Sequence, residues 1–486
     1  MFKPAIHTAL AAAVAALLSA CGTIGPDFKA PANAVTPAYR HVAQAAGADT
    51  ARLPAEWWTV FGDQTLNTLE QRALHDNPNV RAAAQRLVQA QAQLGVVRAG
   101  QLPTVTAQAG ISNARTSAES SQGLAFGHRS IAGNNYQAGL GFSWELDLWG
   151  RVRRIVEASD AQAMAAQDDR DAVLVMLSGQ VATAYWQLRG LDAELAILRN
   201  ALATRRESQE LIEARFNAGL SNELDVSRAR IERANAEADL HEAQRQRNTL
   251  EHALAVLVGA SPSVALVAAS ADAALPQPPG IPVGLPASLL GQRPDLAASV
   301  ETLRSFNAQI GVAQGAFYPA VSLTGNYGYA SENLRNLAQG SARQFSVGPL
   351  ALSLPVFDAG RNRANLKLAQ ARYDEAVANH EGRLLTALRE VEDALSDVQQ
   401  RQQQGEVQAQ ARQAASRALQ VAQARYDRGV STYLDVTDAQ RSSLAADRAA
   451  AQIRTQRLLA AVSVARALGG GWTQGEAVAT IAKPGN

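Results

Sequence analysis

The chain is written twice. Asn77-Pro78 opens an Ala- and Gln-rich stretch that closes at Gln101-Leu102-Pro103, and Arg293-Pro294 opens a matching stretch that closes at Phe317-Tyr318-Pro319. Both pairs of prolines lie 216 positions apart. Further on, Phe216-Asn217-Ala218-Gly219-Leu220-Ser221 returns as Tyr426-Asp427-Arg428-Gly429-Val430-Ser431, and Leu224-Asp225-Val226 returns as Leu434-Asp435-Val436, both 210 positions later. A long internal repeat is one supersecondary plan used twice, so a pseudo-twofold relation is expected inside the protomer.

The order of elements within a copy defines the plan. Asn77 and Pro78 suit the cap and first turn of a helix to about Gly100. After Pro103 the apolar period drops to two. Val105, Ala107, Ala109 and Ile111 alternate with Thr104, Thr106, Gln108 and Ser112. Tyr136, Ala138, Leu140, Phe142, Trp144 and Leu146 alternate with Gln137, Gly139, Gly141, Ser143 and Glu145. The second copy repeats this with Val321, Leu323, Tyr327 and Tyr329, then Phe345 and Val347. Its phase changes at Gly348-Pro349 before Leu350 and Leu352, which predicts a bulge or bend.

The expected strands are about 104–116, 135–148, 320–330 and 344–356, joined in pairs by Gly- and Ser-rich loops. They exceed the usual strand of about 5–6 residues and match the roughly 9–11 that a tilted membrane strand needs. Four strands are too few for the smallest membrane barrel of about 8. Such strands demand partner chains, and two, three or four copies all satisfy the count. Tyr136, Tyr327 and Tyr329 near the loops, with Trp149, Phe317, Tyr318 and Phe357 at the opposite ends, fit two interfacial girdles.

A very long helix follows each strand pair. No proline interrupts 151–218 or 361–428, and each run would extend roughly 100 Å. Gly219 and Gly429 suit the left-handed position that closes a helix. Helices over about 222–258 and 432–468 then return. A returning helix stacked end to end on an opening helix nearly matches one long helix, which predicts paired helical columns. The fold class expected is therefore α plus membrane β.

Charge is nearly balanced at +1, and no basic block argues for nucleic acid. The apolar run from Ala9 to Leu18 is too short to span a bilayer and reads as a signal segment. Leu18-Ser19-Ala20-Cys21 resembles a bacterial lipobox, in which Cys21 carries a covalent lipid and becomes the first mature residue. Cys21 is the only cysteine, so disulfides and thiolate catalysis are excluded. Gly22 after it, rather than Asp, resembles lipoproteins sorted to the outer membrane. The expected divisions are 1–20 signal, 21–62 lipid-anchored segment, 63–262 first repeat, 263–292 Pro-rich linker, 293–472 second repeat and 473–486 flexible tail.

Several short motifs occur in a specific order: Gly25-Pro26-Asp27-Phe28, Glu56-Trp57-Trp58-Thr59-Val60-Phe61-Gly62-Asp63, Gly284-Leu285-Pro286, Arg293-Pro294-Asp295-Leu296, Leu354-Pro355-Val356-Phe357-Asp358 and Leu468-Gly469-Gly470-Gly471-Trp472. With Cys21 they resemble the outer-membrane factor family, the TolC-like efflux channels, and its OprM- and NodT-related lipoprotein branch. The resemblance covers nearly the whole mature chain. It implies a homotrimer with a 12-stranded barrel in outer-membrane lipid, continued by a 12-helix tunnel. It further implies a periplasmic adaptor and an inner-membrane transporter, proton-driven, as partners. A passive conduit for small molecules needs no cofactor beyond the lipid on Cys21.

In that family the turns Gly219-Leu220-Ser221 and Gly429-Val430-Ser431 would contact the adaptor. Asn222 and Thr432 read as helix N-caps, with Asp225 and Asp435 at the third helical position, although those acids also compete as gate residues. Leu434, Asp438 and Arg441 share one helix face at i, i+4 and i+7. Their first-copy counterparts are Leu224, Arg228 and Ile231, so only the leucine is kept. Resemblance to OprM-like channels makes Leu434, Asp438 and Arg441 the periplasmic gate. Arg441 is expected to pair with Asp438 or with a neighbouring chain.

No nucleotide, zinc or nucleophile-elbow motif appears, and His241 and His252 read as surface positions, so an enzyme is disfavoured. Most carboxylates sit at helical spacing from Arg or Lys, as on solvated faces. The alternative function is the outer-membrane duct of a type I protein secretion system.

Overall fold

The computed structural model describes residues 23–31, 38–40, 53–270, 274–283 and 288–473. Cys21, Gly284-Leu285-Pro286 and the tail from 474 lie outside them. The principal elements are α1 (Gln64–Asp76), α2 (Pro78–Ala99), β1 (Thr104–Arg115), β2 (Ala132–Leu146), α3 (Arg151–Asn217), α4 (Glu223–Leu257), α5 (Pro294–Gly315), β3 (Ala320–Ser331), β4 (Arg343–Ser353), α6 (Arg361–Asp427) and α7 (Tyr433–Ala467). The long helices α3 and α6 each have 67 residues, and the returning helices α4 and α7 each have 35. The repeat is thus reproduced to the residue in helix length.

The chain divides into two compact units. One contains Leu87–Ala166 and Ser299–Asn379 together with the described residues up to Pro31. It holds a four-stranded antiparallel sheet in the order β1-β2-β3-β4. Register keeps the two faces distinct. Leu140 pairs with Ala107 and Tyr327, and Tyr327 pairs with Phe345, so the apolar residues share one face. Gln137, Gly139, Gly141 and Ser143 align with Gly110, Gln108, Thr106 and Thr104 on the other.

The expected phase change is a bulge. Leu323 faces Leu350 and Gly325 faces Val347, so Gly348 and Pro349 stand opposite the single Thr324. Proline is tolerated because β4 is an edge strand and Pro349 has no N–H to leave unpaired. Gly325 faces a tight backbone approach, since a Cβ there would sit 2.8 Å from Ser346 O as well as against the Phe142 ring. At one end of the sheet, Trp149 stacks on Tyr318 at 5.3 Å and donates from Nε1 to Pro319 O at 2.8 Å.

The N-terminal strap explains the Gly25-Pro26-Asp27-Phe28 motif. Buried Arg154 donates to Ile24 O at 3.1 Å, Gly25 O at 3.2 Å and Asp27 Oδ1 at 3.0 Å. Asn307 Nδ2 donates to Pro26 O at 2.8 Å, and Arg304 lies over the Phe28 ring. Gly25 has φ +108°, and a Cβ on it would strike Gly311 Cα at 2.4 Å.

The second unit contains the described residues of Ala32–Arg86, Gln167–Ala298 and His380–Asn486. Its main core gathers Trp57, Trp58, Leu66, Leu69, Tyr185, Trp186, Leu188, Leu254 and Val258. Helix α1, for which the sequence reading assigned no element, is capped by Asp63, whose Oδ1 accepts from the backbone N of Thr65 at 2.8 Å and Leu66 at 3.0 Å. The other carboxylate oxygen of Asp63 accepts from Tyr185 OH at 2.6 Å. Two distant motifs meet in this core. Trp57 Nε1 donates to Ser178 Oγ, and Trp472 Nε1 donates to Asp171 Oδ2, each at 3.0 Å.

The expected end-to-end helix joints are present in both copies, made by different chemistry at equivalent positions. In the first, Asn77 Nδ2 donates to Leu257 O at the end of α4 (2.8 Å), while Asn77 Oδ1 accepts from Asn79 N at the start of α2 (2.7 Å). One side chain thereby satisfies orphan groups of two helices. In the second, Arg293 NH1 donates to Ala467 O at the end of α7 (3.0 Å) and pairs with Glu390 (2.8 Å), while NH2 pairs with Asp295 (2.8 Å). Burial alone would raise the Asp295 carboxyl, but the Arg293 guanidinium outweighs it and holds that carboxyl below its usual range. Asn77→Ala is expected to lower stability by about 1–3 kcal/mol, since it leaves a buried carbonyl and an amide unpaired. Thermal melting of the purified protein checks this; an unchanged midpoint rejects the joint.

Candidate functional site

The site builds from two helical turns. Both long helices end in the same left-handed closure. Gly219 N donates to Phe216 O at 2.9 Å and Leu220 N to Arg215 O at 2.8 Å; Gly429 N donates to Tyr426 O at 2.9 Å and Val430 N to Arg425 O at 3.0 Å. Both glycines have φ +72°. This pair of bonds is the Schellman closure, which positive φ permits. It leaves Leu220 and Val430 pointing outward, 77% and 62% exposed. Below the turns a small core holds Ile212, Val226, Ala229, Tyr433 and Val436, with Tyr426 against it. Arg215 lies 4.9 Å over the Tyr426 ring.

The returning helices start on their caps. Asn222 Oδ1 accepts from Asp225 N at 2.9 Å, and Asn222 Nδ2 donates to Asp225 Oδ2 at 3.1 Å. In the second copy the Asp435 carboxylate accepts from Ser431 Oγ (2.7 Å), Thr432 N (3.0 Å) and Thr432 Oγ1 (3.0 Å). Those bonds, the Ser431 hydroxyl first, hold the Asp435 carboxyl below its usual range. The competing acids at these starts are thus engaged in cap geometry.

Leu434, Asp438 and Arg441 lie on one exposed stripe of α7. Within one chain, Arg441 departs from the expected pairing with Asp438. Its guanidinium does not reach Asp438 but binds Glu232 on α4, with Nε 2.7 Å from Oε1 and NH2 bonded to the same oxygen. Arg441 thus reaches from the stripe across to α4, while Asp438 stays exposed. Glu232 is buried and also holds Arg205, whose NH2 is 3.2 Å from Oε2 and whose NH1 donates to Glu232 O at 3.1 Å. Burial raises the Tyr433 hydroxyl to about 12, with Glu232 adding to the effect.

The sequence reading missed Glu232 and Arg205 by treating charged helix residues as solvated. Two further ion-pair clusters link different helices, the first buried and the second half-exposed. Arg247 binds Asp192 and Glu251, each at 2.7 Å, and Arg448 binds Glu194 at 2.6 Å and Asp239 at 3.3 Å. One signal was available: Glu232-Arg441 and Asp239-Arg448 are both separated by 209 positions, one less than the repeat offset. His241 and His252 are exposed, as expected. No group of three or more His, Cys, Asp or Glu able to hold a metal exists among the described residues.

A sheet with one apolar and one polar face, two edges unpaired among the described residues and paired helices ending in capped turns fits a subunit of an envelope channel. The comparisons with known proteins fix the class further: the chain belongs to the outer membrane efflux protein family, whose model matches residues 69–260 and 285–470. It is 37% identical over 494 residues to outer membrane protein OprJ of Pseudomonas aeruginosa, covering 98% of each chain. It is 31% identical over 465 residues to the cation efflux system protein CusC of Escherichia coli, covering 95% of this chain and 98% of that one. The solved structure of a membrane protein from Pseudomonas aeruginosa superposes with TM-score 0.86 at 35% identity, covering 94% of this chain and 99% of that one. The family is one of efflux conduits rather than enzymes. The protein lies in the outer membrane and extends into the periplasm.

Proposed function

We propose that the chain forms a homotrimer whose three sheets close a 12-stranded barrel, and that this trimer is the passive outer-membrane duct of a tripartite efflux pump for small molecules. The observation that carries the reading is the sheet itself: β1 and β4 lie at its two edges and have no strand partner on one side among the described residues. Unpaired edges in lipid leave unsatisfied backbone groups, so only closure with other copies is tolerable. A periplasmic adaptor would engage the outward Leu220 and Val430 at the turns. A proton-driven inner-membrane transporter would supply the energy, since no cofactor is needed here. The lipid on Cys21, three residues before Ile24 of the clamped strap, would add an anchor.

Leu434, Asp438 and Arg441 are the proposed gate. The Arg441–Glu232 bond ties the stripe of α7 to α4 within one protomer, which supports a resting state held by intrachain latches.

Deleting the gene and measuring dye retention and the secretome in the same cells tests the function. Dye retention with an unchanged set of secreted proteins is the expected result. Loss of a secreted protein with normal dye clearance would transfer the duct to a protein secretion system.

A further inference from the structure

The charge distribution of the sheet points to a lipid partner. Across the four strands only Arg115, Glu145 and Arg343 carry charge. Glu145 sits at the helix end of β2, where Arg151 neutralises it at 2.7 Å. Arg115 and Arg343 occupy the opposite, loop end. Arg115 closes β1 opposite Ala132, and Arg343 opens β4 opposite Tyr329.

Both belong to the apolar face. Arg115 follows Ile111 by four positions, and Arg343 precedes Phe345 by two, so period-two alternation points them the same way as Ile111, Tyr327, Tyr329 and Phe345. An outward arginine on a lipid-facing strand is costly at mid-bilayer but tolerable at the interface. The loops beside them add Arg129 and Arg335, also exposed. Acids there are fewer. Glu119 pairs with His128 at 3.4 Å, and Glu332 packs near Gly133. None of the four arginines has a carboxylate within 4.0 Å among the described residues. Arg115 is oriented by two bonds to Ser130 Oγ, at 3.2 Å and 3.0 Å, which leave other guanidinium donors open. Exposed Leu124, Phe126 and Leu334 lie in the same loops, giving the mixed apolar and basic composition of a membrane-interface surface.

We infer that this rim is a docking surface for the phosphate groups of the outer-leaflet glycolipid, with Arg115 and Arg343 as its anchors. The inference rests on the outer-membrane reading of the sheet, because the loop end is the end that reaches the external leaflet. Guanidinium groups suit it because their planar fork matches a phosphate bidentately. As the outermost strands of the sheet, β1 and β4 would bring Arg115 of one copy beside Arg343 of the next on barrel closure. The paired site would then form only in the assembled channel.

The test uses the full-length protein in nanodiscs, with diphosphorylated lipid A as probe. The wild type is expected to bind it, and the double variant Arg115→Gln/Arg343→Gln to bind about tenfold more weakly. The variant Arg115→Lys/Arg343→Lys, which keeps the charge, should recover most of the affinity. Dephosphorylated lipid A should bind the wild type no better than it binds the Gln variant, and millimolar inorganic phosphate should not displace the glycolipid. Equal binding by wild type and Gln variant, or displacement by free phosphate, overturns the proposal. So does a shifted channel reversal potential in the Gln variant with lipid A binding intact, which would put these arginines in the pore mouth. Single-channel conductance, which reports the duct itself, is expected to stay unchanged in all variants.

Discussion

Arg441→Ala should produce a channel that leaks at rest, with mean planar-bilayer conductance about tenfold above wild type. The bond it removes joins a 58%-exposed guanidinium to a carboxylate that is 4% exposed. A hydrogen bond to a charged, buried group is worth about 1.5–3 kcal/mol, less where one partner is exposed, and each 1.4 kcal/mol moves an open–closed ratio by about tenfold. Folding should survive, because Glu232 keeps Arg205 at 3.2 Å. Glu232→Ala makes the instructive contrast. It strands Arg205, whose side chain is 7% exposed, and should cost about 3–5 kcal/mol of stability. Asp438→Asn should also raise resting conductance, by altering the charge on the stripe and not by breaking the latch. Wild-type conductance in both Arg441→Ala and Asp438→Asn would dispose of the gate.

Gly469→Ala should abolish the folded chain, while Gly219→Ala and Gly429→Ala should be mild. All three glycines end a long helix with positive φ, so the backbone penalty is similar, about 1–2 kcal/mol. Their surroundings differ. A Cβ on Gly469 would lie 1.8 Å from Gln292 O, whereas nothing lies within 4 Å of one on Gly219 or Gly429. The colliding atom is backbone, so no rotamer relieves it. At least about 3 kcal/mol of further cost is expected, enough to remove the protein from the membrane fraction. Normal yield and melting of Gly469→Ala would show that the junction of α7 with the backbone at Gln292 is not as tight as described.

Local pattern carried much of this fold. The period-two runs, the proline-free stretches and the closing glycines each act over a few residues, so strands and long helices fell within a few positions of their observed bounds. The Asn77 and Arg293 joints were foreshadowed by helix lengths alone. Elements set by distant contacts were illegible. Helix α1 shows a helical apolar period in Leu66, Leu69, Ala73 and Leu74, yet where it packs is set by Asp63 reaching Tyr185 and by Trp57 reaching Ser178. The latch partner Glu232 looks like any solvated glutamate, since its i±4 neighbours give no hint that α7 covers it. The stripe Leu434, Asp438 and Arg441 emerged from asymmetry between the copies, but which charge it meets depended on three-dimensional packing.

The open edges of β1 and β4 have a kinetic consequence. A single-chain barrel can close on itself, so its insertion into lipid is first order in protein. Here nothing among the described residues covers the outer edges of β1 and β4, and in the proposed trimer closure must await other chains. Insertion should therefore rise more steeply than linearly with chain concentration. Until then each chain exposes two adhesive margins, a hazard that makes dilution and chaperoning matter more than for a self-closing barrel.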